Sequence, residues 1–491
     1  MFSHYNKTNQ MSDNQFYDIV IVGAGPSGLA LAQCCSSIKD LKILIIEQES
    51  VIGGCHRVRR LPYKNEFLFT EHGPRVYSST YRVFDMLLSK MDVSFTELFT
   101  PYNFNLTSIG KQTIWTSLNY SELIKISFEF LKLIINDKHG RDINLQNYLI
   151  QTNFSKKAID IIDRICRLTD GAGIDKYTLN ELLQLFNQQF FYKLYQPKKP
   201  NDEGLFKLWK SFLEEKGVSF MMNSSVTKLN MNNEKTKVNS VEINKLLNIY
   251  GKNFIIAIPP KSLVGILESS ENINYFGNLE LLKKWSYETA YIDYLSVTFH
   301  WDSKIDLPKI YGFPKTSWGV AYIVLSDYMT FKEVNSKTVI SAAVTITHIA
   351  SDRINKLPNE CSENELIEEI FNQLKFSFPN LPSPTISLLS PGVVYKNNTW
   401  KSEDTAFITT ANYPYLPFQS EKIKNLYNVG THNGKQRYNF TSLESAVTNA
   451  VELSHNLFPE LLLEYPINSN LSVTTFIRYL ILVIVIYKIL I

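Results

Sequence analysis

The chain reads as an α/β protein: a parallel sheet of βαβ type, an inserted α+β portion with an antiparallel sheet and helices, and a hydrophobic helix at the C-terminus. Three observations predict this. Residues 17–47 run apolar strand, glycine turn, helix of small residues and apolar strand, the pattern of a parallel sheet. From Tyr291 to Thr347, the segments YLSVTFHW, AYIVL and TVISAAVTIT alternate well enough to form a second, antiparallel sheet. The stretch VTTFIRYLILVIVIYKILI, from Val473 to Ile491, carries only Arg478 and Lys488 as charges.

Bulk properties narrow the class. At 491 residues the chain exceeds what one core usually serves, so two or three domains are expected. Hydrophobic residues at 44% and charged residues at 20% exclude global disorder and a collagen-like repeat. A net charge of +3 without a long Lys/Arg block argues for no nucleic-acid partner. Cys34, Cys35, Cys55, Cys166 and Cys361 show neither a disulfide framework nor zinc spacing. A reducing compartment and no metal site are expected. Residues 1–15 are polar, so no secretory signal is expected there.

The elements follow in order. Helices are expected from about Ser121 to Tyr195, including SELIKISFEFLKLII and a capping box of Thr178 with Glu181. Another helix, GLFKLWKSFLEEKG, opens near Gly204 and stops at Gly217, a residue suited to a C-cap. Residues 225–258 read as short strands split by polar turns, ending in NFIIAIPP, where two prolines stop the strand. After the antiparallel sheet, Ser362 with Glu365 caps a further helix, and a last one starts near Thr441.

The strongest local signal is YDIVIVGAGPSGLALA, Tyr17 to Ala32. Gly23 allows a tight turn, Gly25 lets backbone approach a pyrophosphate, and Gly28 lets helix and strand pack closely. Pro26 suits the first helical turn because its missing N–H has no duty there. The loop Gly23, Ala24, Gly25, Pro26, Ser27 and Gly28 is therefore assigned to a Rossmann-type dinucleotide site, with phosphates held at the helix N-terminus. The second strand, KILIIE, ends in Glu47, where a carboxylate accepts hydrogen bonds from ribose hydroxyls and repels a 2′-phosphate. NAD and FAD both remain open on this motif alone.

The next segments narrow that choice. Gly53-Gly54 in ESVIGGCHRV, followed by Glu71-His72-Gly73-Pro74-Arg75, resembles the flavin-containing amine oxidase superfamily, which includes protoporphyrinogen oxidase and carotenoid desaturase relatives. NSSVTKL, NFIIAIPP and NLYNVGTHNG followed by NFTSLESAVTNAVELS resemble that family's later segments, so the likeness covers scattered blocks from about Phe16 to Phe458. The resemblance implies FAD, and because no Cys lies near the closing helix, non-covalent binding is expected. It implies that Gly53 and Gly54 let the chain pass close to the cofactor, and that Gly73, Pro74 and Arg75 approach the flavin ring. It further implies that Val226 offers backbone to adenine. Gly430 and Thr431 would close the site, with the helix N-terminus at Ser442 and Leu443 directed at the flavin pyrimidine.

Departures from the family pattern are Cys55 in place of an Arg after the double glycine, and Thr431 in place of an acid. The strand Tyr291 to Trp301 also lacks the Lys that many amine oxidases use beside flavin N5. Ordinary amine oxidation by O2 is thereby disfavoured, flavin binding is not, and no catalytic residue is assigned. The activity implied is an FAD-dependent oxidoreductase, in which flavin N5 accepts hydride from a C–N or C–C site. The alternatives are an isomerase similar to UDP-galactopyranose mutase and a non-catalytic binder similar to the GDP-dissociation inhibitors. The expected division is a discontinuous FAD-binding domain at 16–80, 200–265 and 390–460, with a substrate domain at 81–199 and 266–389.

The remaining candidates have plainer readings. His56 and His72 are expected at the surface or hydrogen-bonded, Cys34 and Cys35 in packing, and Trp318, Trp400 and Tyr438 in core. Glu71 and Arg75 read as a local ion pair, or Arg75 as an anion partner. Residues 473–491, as a helix, span about 28 Å, close to the hydrocarbon thickness. A single-pass membrane anchor is expected, with the catalytic part cytosolic and a lipophilic small-molecule substrate within reach. The competing readings are a buried β-strand, because Ile481, Val483 and Ile484 favour that conformation, and a shallow interfacial placement, because Lys488 near the far end must snorkel.

Overall fold

The computed structural model describes residues 16–73, 75–102, 117–187, 192–271, 275–288, 290–291, 294–307, 311–312, 315–402, 407–408, 417–433, 442–468 and 471–490. Seven strands build the first sheet: β1 (Phe16–Val22), β2 (Ile43–Ile46), β3 (Ser219–Met221), β4 (Val226–Met231), β5 (Val238–Ile243), β6 (Leu247–Ile256) and β7 (Leu426–Asn428). Their order is β3-β2-β1-β6-β5-β4, with β7 beside β6. Five helices recur below: α1 (Pro26–Cys35), α2 (Arg82–Ser89), α3 (Tyr120–Ile135), α4 (Leu443–Leu457) and α5 (Val473–Leu490).

The central strand β2 is apolar throughout because both of its faces are covered; all four of its residues are buried. Val22 pairs with Ile46 and Ile256, and Ile256 pairs with Asn428, so β1, β2, β6 and β7 end at one level. The backbone ladder continues one step past each strand. Gly23 N–H donates to Ile46 O (2.8 Å), Ala257 N–H to Val22 O (2.8 Å) and Val429 N–H to Ile256 O (3.0 Å). Gly23, Glu47, Ala257 and Val429 therefore share the carboxyl edge, where open α/β sheets bind their ligands.

On one face of the sheet, α1, α2 and α4 pack around Leu29, Phe84 and Val447. Residues 260–271 and 275–288 cover the other face, where Leu263, Tyr275 and Trp285 join the core of the sheet. That packing ties 82–99, 266–271 and 275–288 to the first sheet. The hairpin of Val393–Lys396 and Thr399–Ser402 goes the other way: Val393 and Trp400 enter the core of the second sheet.

The second sheet has five antiparallel strands, in the order Tyr311–Gly312, Ala321–Val324, Thr338–Val344, Leu295–Trp301 and Ile386–Leu389. Helix Glu363–Leu374 covers one face, and its N-cap Ser362 receives the expected capping box from Glu365. A third core forms where α3 meets helices Leu145–Gln151, Lys156–Asp170 and Leu179–Phe186. The last of these begins with the Thr178–Glu181 box. Residues 473–490 form the helix α5 rather than a strand, and it is almost entirely exposed. At 18 residues with a mean hydropathy of 2.0, α5 is long and apolar enough to cross a membrane.

Candidate cofactor and active site

The glycine loop adopts the geometry its residues allow. Gly23 has φ +108°, and a Cβ there would stand 2.5 Å from the Ala257 carbonyl oxygen. A Cβ on Gly28 would overlap the Gly23 carbonyl, which is why α1 can press onto β1 only at a glycine. Gly25 is different. A Cβ there would meet only Gly54 Cα, at an ordinary 3.8 Å.

Gly25 is also the N-cap of α1 and supplies no side-chain cap; Pro26 follows without an N–H. The first-turn N–H groups of Ser27 and Gly28 are thus left for an external acceptor. Ala24, by contrast, donates its N–H to Glu47 Oε2 at 2.7 Å, and Glu49 N–H binds Glu47 Oε1 at 3.0 Å. Glu47 is buried, and desolvation raises its pKa against those two hydrogen bonds. Each oxygen still has lone-pair capacity for a hydroxyl.

The double glycine closes onto this loop. Gly53 N–H donates to Ala24 O (2.9 Å), and both Gly53 (φ +119°) and Gly54 (φ +55°) lie in the left-handed region. A Cβ at Gly53 would come within 2.7 Å of the Phe206 ring, so helix Leu205–Glu215 also enforces the glycine. Val226 begins β4 and is buried.

The segment after the double glycine bridges the two sheets. Thr70 and Thr298 hydroxyls are 2.9 Å apart, His300 Nε2 lies 2.9 Å from Phe69 O, and Ser296 Oγ donates to His72 O. Gly73, at φ +145°, leaves no room for a Cβ beside the Tyr294 ring. His72 stacks on that ring with centroids 5.6 Å apart, and neither of its nitrogens has a partner among the described residues. His72 is thus buried rather than at the surface, while His56 is half-buried with its Nδ1 3.5 Å from the Tyr77 hydroxyl; desolvation, and then the Arg75 charge, holds both well below the ordinary imidazole pKa. Arg75 donates to Cys55 O, while its Nε has no partner among the described residues. Burial pushes Glu71 up to about 7, opposed by Arg75. Pro74 lies outside the described residues.

The closing segment reaches the same edge. Gly430 (φ +148°) donates its N–H to Asn449 Oδ1 at 2.8 Å, and a Cβ there would strike the buried His432 ring. Thr431 is buried in a short 3-10 turn, and Asn433 and Asn449 exchange side-chain hydrogen bonds at 2.9 and 3.1 Å. Ser442 caps α4 reciprocally with Ser445, leaving the N–H groups of Leu443 and Glu444 at the helix end. Ser27 Oγ donates to Ala446 O (3.2 Å), so the N-terminal turns of α1 and α4 meet. The Glu444 carboxylate turns away to cap α2 through Val83 N–H (2.8 Å) and Phe84 N–H (3.0 Å).

Trp318 and Trp400 are core residues of the second sheet, Cys34 and Cys35 are fully buried, and Tyr438 lies outside the described residues. Contacts made by Phe206, Tyr294 and Asn449 carried no local signal, since each comes from far along the chain.

These residues fit an extended dinucleotide. The uncapped helix end, the open face of Gly25 and the buried orphan nitrogens of His72 and Arg75 are all features a bound group would satisfy. The NAD(P)-binding Rossmann-like domain family matches residues 21–89. No curated protein matches the chain in sequence. Among solved structures, putrescine oxidase bound to putrescine aligns over 91% of this chain and 99% of its own, at TM-score 0.61 and 14% identity. An oxidoreductase from Methanosarcina mazei aligns over 89% and 99%, at TM-score 0.58 and 14% identity. A protein from Pyrococcus furiosus aligns over 90% and 98%, at TM-score 0.55 and 14% identity. The chain thus carries a Rossmann-like segment at residues 21–89 and shares its overall fold with putrescine oxidase.

Proposed function

We propose that the protein is an FAD-dependent oxidoreductase with non-covalently held cofactor, acting on a small-molecule substrate. The observation that carries this reading is Gly25: a glycine whose added Cβ would meet only Gly54 Cα, at an ordinary 3.8 Å, at an uncapped helix start on the carboxyl edge of the sheet. FAD bound there supplies the hydride acceptor for oxidation at a C–N or C–C site.

In this reading, Gly23, Ala24, Gly25, Pro26, Ser27 and Gly28 hold the pyrophosphate through the α1 N-terminus, and Glu47 orients the ribose. Gly53 and Gly54 keep the chain clear of the cofactor, and the Val226 backbone faces adenine. Gly73, Pro74 and Arg75 approach the ring system from one side. Gly430, Thr431 and the α4 start at Ser442 and Leu443 approach from the other, where the helix dipole favours negative charge. His72, neutral and buried against Tyr294, lines the boundary with the second sheet. No Lys stands on strand Leu295–Trp301, so oxidation of a carbon site other than an amine fits these residues at least as well.

The nucleotide sheet with its covering helices forms the FAD-binding part, the second sheet and the helical cluster the substrate part, and α5 a membrane anchor. FAD titration tests the cofactor assignment. Glu47→Ala is expected to weaken binding by roughly 1.5–3 kcal/mol through lost hydrogen bonds to ribose. Unchanged affinity in the folded variant refutes the role of Glu47. Net flavin reduction by amines or lipids, against turnover of a sugar nucleotide without it, separates an oxidoreductase from an isomerase.

A further inference from the structure

We propose that α3 lies in the interface of a lipid bilayer, its outward apolar stripe immersed beside the point where α5 enters. The protein would then be held by two elements rather than by a tail alone. The inference rests on the reading of α5 as a membrane anchor and adds a second contact to it.

The polarity of α3 is inverted for a helix facing water. Its outer face carries Tyr120, Ile124, Phe128, Leu131 and Ile135, spaced 4, 4, 3 and 4 residues apart and exposed by 56–88%. That spacing places all five on one helical face. Two of its carboxylates point inward instead. Glu122 is buried and accepts N–H groups of Asn119 (2.7 Å) and Ser155 (2.6 Å). Glu129 is buried against Lys132 (2.9 Å) and His139 (2.5 Å). Acidic groups are thus satisfied inside while large apolar side chains are presented outside, as expected where the outside is itself apolar.

A second, independent observation names the occupant. Arg478, in the second turn of α5, fastens that helix to the C-terminal end of α3. Its guanidinium donates to Leu133 O (2.9 Å), Ile134 O (2.5 Å) and the Asp137 carboxylate (2.6 and 3.1 Å). Thr474 N–H adds a bond to Asn187 Oδ1 at 2.8 Å. The root of the apolar helix is therefore pinned to the rim of the stripe, and the exposed apolar surface continues from α3 onto α5. Lys132, its Nζ 4.7 Å above the Phe128 ring, stands at the edge of the stripe. A bilayer that takes up α5 meets α3 at the same level.

The test uses the full chain in phosphatidylcholine vesicles containing brominated phosphatidylcholine, with two tryptophan reporters, Phe128→Trp and Leu482→Trp. Emission is measured against the six native tryptophans. Both substitutions are at exposed positions, so folding is preserved. Bromine near the headgroup end of the acyl chain is expected to remove roughly half of the added emission of Phe128→Trp, and deep bromine less, as for a helix immersed in the interface. The Leu482→Trp reporter is expected to respond more to deep bromine. Quenching of Leu482→Trp alone leaves the anchor standing and overturns the role of α3, whose stripe is then covered by something other than lipid, such as a second copy. Quenching of Phe128→Trp alone removes the anchor and with it the two-element attachment. Quenching of neither overturns both.

Discussion

A side chain added to Gly25 would begin 3.8 Å from Gly54 Cα and touch no other described atom, whereas one added to Gly28 would overlap the Gly23 carbonyl. The two glycines of one motif therefore have different physical reasons to be glycine. Gly28→Ala is expected to destabilise the fold by roughly 1–3 kcal/mol or more, the range of overpacked core sites. Gly25→Ala is expected to leave it within about 0.5 kcal/mol. Denaturant midpoints of the two cofactor-free variants check the contrast, and equal losses would remove it.

Glu71 makes stability depend on pH in an unusual direction. Its folded pKa of about 7 lies above the ordinary 4.5, so the folded state holds the proton more tightly than the unfolded chain. The contribution is complete below pH 4.5 and is lost as pH rises through about 7. At about 1.4 kcal/mol per pH unit, this is about 3 kcal/mol. Glu71→Gln is expected to flatten the decline between those limits and to be the more stable form above pH 7. Thermal unfolding of the cofactor-free protein across this range decides it; a parallel wild-type and variant profile would contradict it.

Glu444 caps a helix more than 350 residues away in sequence. In Glu444→Ala, the buried Val83 and Phe84 N–H groups lose their acceptor, at a cost of roughly 2–4 kcal/mol by the usual penalty for unsatisfied buried donors. The loss should appear as a lower urea midpoint with an unchanged slope. A variant of wild-type stability would show that other acceptors replace the carboxylate.

How far the sequence can be read follows the range of each interaction. The strand, glycine loop and acid of residues 17–47 lie within one βαβ unit, and the capping boxes at Thr178 and Ser362 within one turn, so local spacing revealed them. Which sheet Trp285 and Trp400 pack against did not show, because it depends on contacts made far along the chain. His72 was misjudged for the same reason. Its burial arises from Tyr294 and Ser296, more than 200 residues downstream, and nothing beside it in sequence signals them.

The C-terminal helix makes a prediction for the whole chain. With α5 inserted, the protein should stay with membranes through alkaline carbonate extraction, and deletion of residues 473–491 should abolish that resistance. Complete release of the full-length protein by carbonate would exclude an inserted helix.

The central claim is that the loop around Gly25 holds a flavin dinucleotide, and flavin content of folded Gly25→Val protein tests it most directly. The wild-type protein, purified or reconstituted with FAD, should show the visible absorption of an oxidised flavin that dissociates on denaturation. Gly25→Val should fold with the same far-ultraviolet circular dichroism and remain colourless, because its side chain fills the space left for the pyrophosphate. A yellow Gly25→Val protein with a full complement of flavin, or a wild-type protein that takes up none, would contradict the account.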